Sequence, residues 1–231
     1  PGPRRGEAEH GRERRMNPAA DAGRSRRSFA RYLLGTVLRP RRTLAALAED
    51  DRRLGLGAKA LALNAFLYTL VYVFLTIGKG APSVFTPFLA IPKETYYHYN
   101  RFMLAPSMFL AWIAAAGVAQ LLSRPLGGKG RFEDNLAVFG FATIVPSLAS
   151  LLHDLPDSLL GALGLLDLRA YEVTLNSPTV WRGILLTLYR LSILWFLVLY
   201  PLGLAAAQRL RPTAAILAGV PAYLAYQGIF V

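Results

Sequence analysis

The fold is decided by residues 60–78, ALALNAFLYTLVYVFLTIG, a stretch that carries no charged side chain. Four more such stretches of at least 18 residues follow, at 102–123, 135–152, 191–208 and 212–231. An apolar helix of about 18 to 20 residues crosses the roughly 30 Å hydrocarbon core of a bilayer. A water-soluble domain of 231 residues has no comparable use for five of them. The sequence therefore predicts an all-α, polytopic membrane bundle with about five transmembrane helices.

Positive charge is concentrated at the start of the chain, although the whole sequence carries a net charge of +12. Residues 1–57 contain 14 arginines against seven acidic residues, and residues 1–27 have almost no large apolar side chains to bury. We therefore predict a disordered basic tail over 1–27. We predict two further regions: an amphipathic, interfacial cytoplasmic segment over 28–57 and a five-helix transmembrane domain over 58–231.

A helical pattern comes directly after the basic tail. Phe29, Leu33 and Val37 fall on one side of a helix with 3.6 residues per turn, and arginines flank them. Pro40 should end this helix, and a second helical piece begins within 43–48. Two interpretations stay open: helices that lie on the membrane surface with arginines toward lipid phosphates, or a solvated helical linker.

The distribution of charge among the loops predicts how the chain crosses the bilayer. If the basic tail is cytoplasmic, loops 79–101 and 153–190 lie outside, whereas 124–134 and the turn around Arg209 and Arg211 lie inside. Cationic side chains are denser in the predicted inner loops, as the positive-inside rule requires. The C-terminus is then predicted outside. Heavy use of Arg, Ala, Leu and Gly suits a GC-rich bacterial genome, so we predict a bacterial cytoplasmic membrane.

Several residues interrupt the regular spans. Gly140 and Pro146 predict a kink in the third span. The apolar segment 158–166 is too short to cross, so we expect a surface or re-entrant helix there. A fourth span that begins near Val180 would place Arg190 inside the outer leaflet.

Small residues form a stripe on the last span, with Ala214, Ala218 and Ala222 in line. Helices in lipid approach closely along such stripes. We expect this face to be buried against another helix of the same chain or against a partner.

The sequence gives little support for a catalytic function. The chain has no cysteine, which excludes thiolate sites, and it contains no H-E-x-x-H, G-x-S-x-G or Walker A motif. His153, Asp154 and Asp157 form one compact polar set, which we interpret as a membrane-exit loop rather than a metal site. We predict no catalytic residue, metal, cofactor or nucleic-acid partner. Arg190 is the candidate intramembrane polar residue, either functional or with its guanidinium extended toward the headgroups.

Two segments together resemble a known family. The first is LRPRRTLAALAEDD at 38–51, and the second is GGKGRFEDNLAVFGFATIVP at 127–146. Their order and spacing resemble the Yip (Ypt/Rab-interacting protein) family of five-span membrane proteins, in particular its bacterial members, over about residues 35–231. The resemblance implies a cytoplasmic N-terminus and five spans. It also implies a role like that of eukaryotic relatives, which associate with prenylated small GTPases and vesicle machinery, although a bacterial cell lacks that partner.

The leading hypothesis is a non-enzymatic membrane protein that organises membrane or partner proteins. Its expected partners are anionic lipids on the cytoplasmic face and a membrane-protein partner or a second copy of the chain. The candidate interfacial or partner-binding residues are Arg39, Pro40, Arg41, Arg42, Gly128, Lys129, Gly130, Phe132 and Glu133. The alternative is a small-solute transporter or permease subunit that uses Arg190 and helices broken near Pro146 and Pro201.

Overall fold

The computed structural model describes residues 27–82 and 91–230. The predicted basic tail, except Arg27, and Val231 at the end of the last predicted span lie outside these ranges. Every regular element within them is helical: α1 (Phe29–Leu38), α2 (Pro40–Ala48), α3 (Arg53–Ile77), α4 (Tyr96–Ser123), α5 (Phe132–Ala162), α6 (Leu168–Asn176), α7 (Val180–Gln208) and α8 (Pro212–Phe230), with a 3₁₀ turn, Lys93–Thr95, directly before α4.

Five of these helices, α3, α4, α5, α7 and α8, are long and apolar enough to cross a membrane. Each covers all or nearly all of one charge-free stretch, and most of them extend into polar flanks. The prediction of an all-α bundle with five membrane-spanning helices is confirmed. Because α3 begins at Arg53, the predicted boundary between residues 57 and 58 falls inside this helix.

Successive long helices run in opposite directions. The α4–α5 turn, the α7–α8 turn and the start of α3 lie together at one end, where Arg53 Nε donates to Asp134 Oδ1 at 2.5 Å. We call this the turn end. At the opposite end, the far end, α3 and α5 finish and α4 and α7 begin. The short helix α6 lies at the far end against α5 and α7.

Helix α5 occupies the centre of the bundle. It packs against α3, α4 and α7 and also touches α1 and α2. Of its most apolar window, 72% is buried, against 22% to 39% for the other four long helices. A Cβ on Gly140 would lie 2.1 Å from the carbonyl oxygen of Gly57, and one on Gly57 would lie 2.5 Å from the oxygen of Ala137. Only glycine allows these two backbones to approach so closely.

Helix α5 continues through both of its prolines, Pro146 and Pro156. The expected separate helix over 158–166 is therefore wrong, because α5 extends to Ala162 and α6 begins only at Leu168. Pro156 removes one intrahelical hydrogen bond, but packing holds the last turns in place. Gly161 is buried so closely under Leu168 that a Cβ there would lie 2.4 Å from the leucine Cγ.

The small-residue stripe of α8 is mostly buried within the same chain, which is one of the two predicted alternatives, and Ala214 is half-buried. Ala218 and Ala222 are fully buried, and α8 packs against α4 and α7. A Cβ on Gly219 would lie 2.7 Å from the Cα of Pro201. Helix α8 can come this close to α7 because residue 219 is glycine, just as Gly57 and Gly140 allow the close contact between α3 and α5.

Replacing Gly140 by alanine should separate α3 from α5. The added methyl group meets backbone rather than a flexible side chain, so we expect a loss of about 1 to 3 kcal/mol in the free energy of unfolding. Gly55→Ala, on the facing helix α3, is the matched control, because a Cβ there meets nothing within 4 Å. Thermal unfolding of both variants in detergent measures the difference. Equal melting temperatures would contradict the close approach.

Candidate functional site

The predicted Arg39–Arg42 segment lies at the corner of a helical hairpin. Helix α1 ends at Leu38 and Pro40 opens α2, as the proline predicted. A Cβ on Gly35 would lie 2.7 Å from Thr43 Oγ1, so the two helices pack tightly.

This hairpin is folded onto the bundle. Leu44 and Leu47 of α2 are fully buried, and the Phe29 ring of α1 lies 5.6 Å from the Phe141 ring of α5. The two earlier interpretations, a surface helix and a solvated linker, both left out this contact, because a local pattern shows an apolar face but not what covers it. The arginine side chains at 39, 41 and 42 are left exposed.

A polar contact fixes the hairpin to the segment that enters α3. The Tyr32 hydroxyl donates to Asp50 Oδ2 at 3.0 Å, and Arg52 pairs with the same carboxylate at 3.1 Å. Burial favours the neutral form of Asp50, but the hydrogen bonds from Arg52 and Tyr32 outweigh it and hold the carboxyl pKa below its usual value. Burial and the bond to Asp50 raise the pKa of Tyr32 to about 12.

The glycine-rich turn is attached to the end of α7. The Lys129 amide donates to the Gln208 carbonyl at 3.0 Å, and the Gly130 amide donates to Gln208 Oε1 at 3.0 Å. A Cβ on Gly130 would lie 2.1 Å from the Ala207 carbonyl oxygen, and Gly127 has φ +86°. Glycine is therefore required here for close approach and for the left-handed conformation.

Three amide side chains, of which Asn135 and Gln208 are fully buried and Gln120 is partly buried, form a cluster under this turn. Gln208 Nε2 donates to Asn135 Oδ1 at 2.8 Å and to Gln120 Oε1 at 2.9 Å. Asn135 Nδ2 donates to Gln120 Oε1 at 2.9 Å, and Gln120 Nε2 donates to the Gly130 carbonyl at 3.3 Å. The amide cluster thus joins α4, α5, α7 and the turn. The sequence alone did not bring the three amides together, because they come from three separate helices.

The predicted site residues of the turn divide into two groups. Gly128 and Gly130 are packed against the bundle, whereas Lys129, Phe132 and Glu133 are exposed. Four arginines of the two turns that were not among the predicted site residues also lie exposed at the same end. We define the basic face as the exposed cations of the hairpin corner and of the two turns at this end: Arg39, Arg41, Arg42, Arg124, Lys129, Arg131, Arg209 and Arg211.

The bundle, the hairpin and the turn together match a protein-family model described as the Yip1 domain, over residues 34–231. The chain belongs to the Yip1 domain family. The resemblance in the two quoted segments is therefore confirmed, while the bacterial origin stays a prediction. Neither a curated protein nor a solved structure matches the chain. The Yip1 match and the five apolar helices make the protein an integral membrane protein.

An apolar groove runs beside the basic face of this Yip1 domain. It has a volume of about 540 Å³ and is lined by α2, α7 and α8, with Leu197, Pro201 and Ile216 among the lining residues. Arg41 is the one charged residue that lines it. The groove therefore combines an apolar wall with a cation next to the turn end.

Arg190 lies on the exposed outer side of α7, ten residues after the first residue of this helix, Val180. It lines neither of the two cavities described for the protein. Its role as an intramembrane functional residue stays a prediction.

The polar set at the end of α5 is assembled by the fold. His153 Nδ1 lies 3.2 Å from Asp154 Oδ1, and His153 Nε2 lies 3.1 Å from Asp157 Oδ2. Within the described ranges, no group of three His, Cys, Asp or Glu residues is arranged to hold a metal ion. Sequence reasoning missed the tyrosines that surround this set, because Tyr171 and Tyr189 come from two other helices.

Removal of the Gln208 side-chain amide should loosen the turn. Gln208→Leu leaves the Gly130 amide and Asn135 Oδ1 without their partner and removes one of the two donors to Gln120 Oε1. We therefore expect a loss of about 2 to 4 kcal/mol in unfolding free energy. Gln227→Leu, which removes one bond to Tyr223, should cost under about 1 kcal/mol.

A buried cysteine under the turn can show whether Gln208→Leu opens the turn itself. Because the chain has no native cysteine, maleimide labelling of Ser123→Cys, under the turn, reports opening directly. Faster labelling is expected in the Gln208→Leu background and not in the Gln227→Leu background. Equal labelling in both would show that the amide cluster does not hold the turn.

Docking of the hairpin should weaken in acid. The Asp50 pKa is depressed in the folded state, so its stabilising contribution is present above the usual carboxyl range and is lost as the pH falls through the folded pKa. Hydrogen exchange of α1 amides, corrected for intrinsic rates, should show this between about pH 7 and pH 3. Asp50→Asn should remove this pH dependence, and the exposed neighbour variant Asp51→Asn should keep it. The same profile in all three proteins would contradict the assignment.

Proposed function

We propose that this Yip1-domain protein is a non-enzymatic organiser of its membrane, and that its turn end is the acting surface. The basic face would hold anionic lipid headgroups and a membrane-protein partner, or a second copy of the chain, at the cytoplasmic side of a bacterial inner membrane. The observation that carries this proposal is the gathering of exposed cations from the hairpin and two turns at one end.

The cations of the basic face are available for such contacts. None of their side chains forms an ion pair with a residue in 27–82 or 91–230, whereas Arg52 and Arg53 at the same end are paired with Asp50 and Asp134. Each cation near an anionic membrane surface is worth about 1 kcal/mol. The positive-inside rule supports a cytoplasmic position for this end.

The groove beside Arg41 suits a lipid. Its walls are apolar residues of α7 and α8, which suit an acyl chain, and the Arg41 guanidinium can pair with a phosphate. The exposed ring of Phe132 and the carboxylate of Glu133 lie at the same end. They add an aromatic contact and an acidic contact for a protein partner.

No observation favours the transporter alternative. Helices α5 and α7 continue through Pro146, Pro156 and Pro201, so neither is broken into two halves around a central site. Arg190 lies exposed on the outside of α7.

Neutralisation of the hairpin corner should reduce lipid retention. We expect Arg39→Gln/Arg41→Gln/Arg42→Gln to retain severalfold less phosphatidylglycerol than the parent, as measured by native mass spectrometry from mixed anionic and zwitterionic nanodiscs. A triple variant with the same change of charge elsewhere, Lys93→Gln/Arg169→Gln/Arg190→Gln, should retain as much as the parent.

The partner is tested in the same preparations. Cross-linking in native membranes through a cysteine at Lys129 should capture a stoichiometric protein or a second copy, and the hairpin triple variant should reduce the yield. Equal lipid retention in the two triple variants, together with no captured protein, would reject the proposed function.

A further inference from the structure

The far end contains a second cavity, remote from the basic face. It has a volume of about 580 Å³ and is lined by residues from α3, α4, α5, α6 and α7, with Phe230 of α8 at its edge. Pockets for small ligands usually measure about 300 to 1,000 Å³. The proposed function makes no use of this cavity.

One part of the cavity wall is aromatic. Six tyrosines contribute to it, from α3, α4, α6 and α7: Tyr68, Tyr72, Tyr96, Tyr97, Tyr171 and Tyr189. The Tyr72 and Tyr97 rings meet edge-on at 5.2 Å, and the Tyr96 and Tyr97 rings at 5.4 Å. Aromatic ring faces carry negative electrostatic potential, and such walls attract cations that are weakly hydrated.

Another part of the wall is acidic. Asp154 and Asp157 come from α5 and Glu172 from α6, whereas the cationic lining residues are Arg182 and, when protonated, His153. The Arg182 guanidinium already donates to the Asn176 carbonyl at 2.7 Å. Carboxylates therefore outnumber cations in the cavity.

His153 lies within ion-pairing distance of both aspartates, but these contacts leave part of the carboxylates' hydrogen-bonding capacity unused. Asp157 Oδ2 is buried and accepts no hydrogen bond from the described residues. His153 Nε2 lies only 3.1 Å away, but the angle at the ring N–H is unsuitable for a hydrogen bond to this oxygen. The carboxylate of Glu172 accepts one bond, from the Ala81 amide at 2.9 Å. Burial raises the pKa of Glu172, because it outweighs that bond and the nearby positive charges of Arg169 and Lys93.

The shape and chemistry of the wall indicate one ligand class. An anion would face three carboxylates, and a bare divalent ion would need a compact ligand group that the described residues do not form. An ammonium or quaternary ammonium group is attracted both by the ring faces and by the carboxylates. We propose that the far-end cavity binds an organic cation through its ammonium group, with Asp154, Asp157 and Glu172 supplying the counter-charge and the tyrosines the surrounding wall.

The ammonium group has two possible sources, a soluble amine or the headgroup of a choline or ethanolamine lipid. For the soluble source, we would titrate the full chain in detergent with tetramethylammonium, choline and ethanolamine by calorimetry, with sodium chloride at equal ionic strength as the blank. For the lipid source, we would compare native mass spectra from nanodiscs of phosphatidylcholine, phosphatidylethanolamine and phosphatidylglycerol. Saturable binding in the first arm indicates a solute, and headgroup preference only in the second indicates a lipid.

Matched variants assign the binding to this cavity. Asp154→Asn keeps the shape of a side chain that accepts from the Tyr189 hydroxyl at 3.1 Å and should weaken binding at least tenfold. Glu172→Gln should do the same, and Tyr72→Leu tests the aromatic wall. Asp167→Asn is the control, because this residue lies at the far end, caps α6 and does not line the cavity. Melting temperatures without ligand show that each variant is folded.

Two results would overturn the proposal. One is the absence both of saturable binding to all three amines and of any preference for choline or ethanolamine headgroups. The other is equal binding by Asp154→Asn, Glu172→Gln and Asp167→Asn in whichever arm shows it.

Discussion

The close approach of α3 to α5 at Gly57 and Gly140 sets the position of most other elements. Lipid gives helices no hydrophobic reason to associate, so backbone contact over small residues must supply the attraction. Once α5 is held there, its first turn meets Arg53 through Asp134, and Asn135 is placed among the glutamines of α4 and α7. The same helix delivers His153 to the far-end cavity. One apolar contact therefore positions polar groups at both ends.

Buried polar side chains differ in whether they have hydrogen-bond partners at different places in the bundle. At the turn end, each amide of the cluster has a partner within 2.8 to 3.3 Å. Asn64 of α3, in contrast, is fully buried, and neither its oxygen nor its nitrogen has a hydrogen-bond partner among the described residues. An unsatisfied buried amide costs about 1 to 3 kcal/mol for each group left without a partner. The amide cluster therefore stabilises the turn end, while Asn64 weakens the packing of α3 for no reason that the structure shows.

The long spans could be predicted from sequence because an 18-residue window without charge has one physical meaning in a membrane protein. The burial of Ala218 and Ala222 followed from their spacing for a similar reason. The hairpin contact with Phe141 and the continuation of α5 past Pro156 could not be predicted, because both depend on which distant helix covers a face. The tyrosine wall of the far-end cavity was missed for the same reason. Its members lie far apart along the chain, and each one alone resembles an ordinary tyrosine of the membrane interface.

The two ends of the bundle differ in charge and are separated by apolar packing. The turn end is strongly basic, whereas carboxylates and cations are present in nearly equal numbers at the far end. Between them, α5 presents Leu136 through Ala142, all buried and all without polar side chains. Polar side chains resume at Thr143, whose hydroxyl is paired with that of Tyr200, and at Ser147, which donates to the Thr143 carbonyl. The hydroxyls therefore satisfy one another and the backbone, and the apolar residues 136–142 separate the polar groups of the two ends.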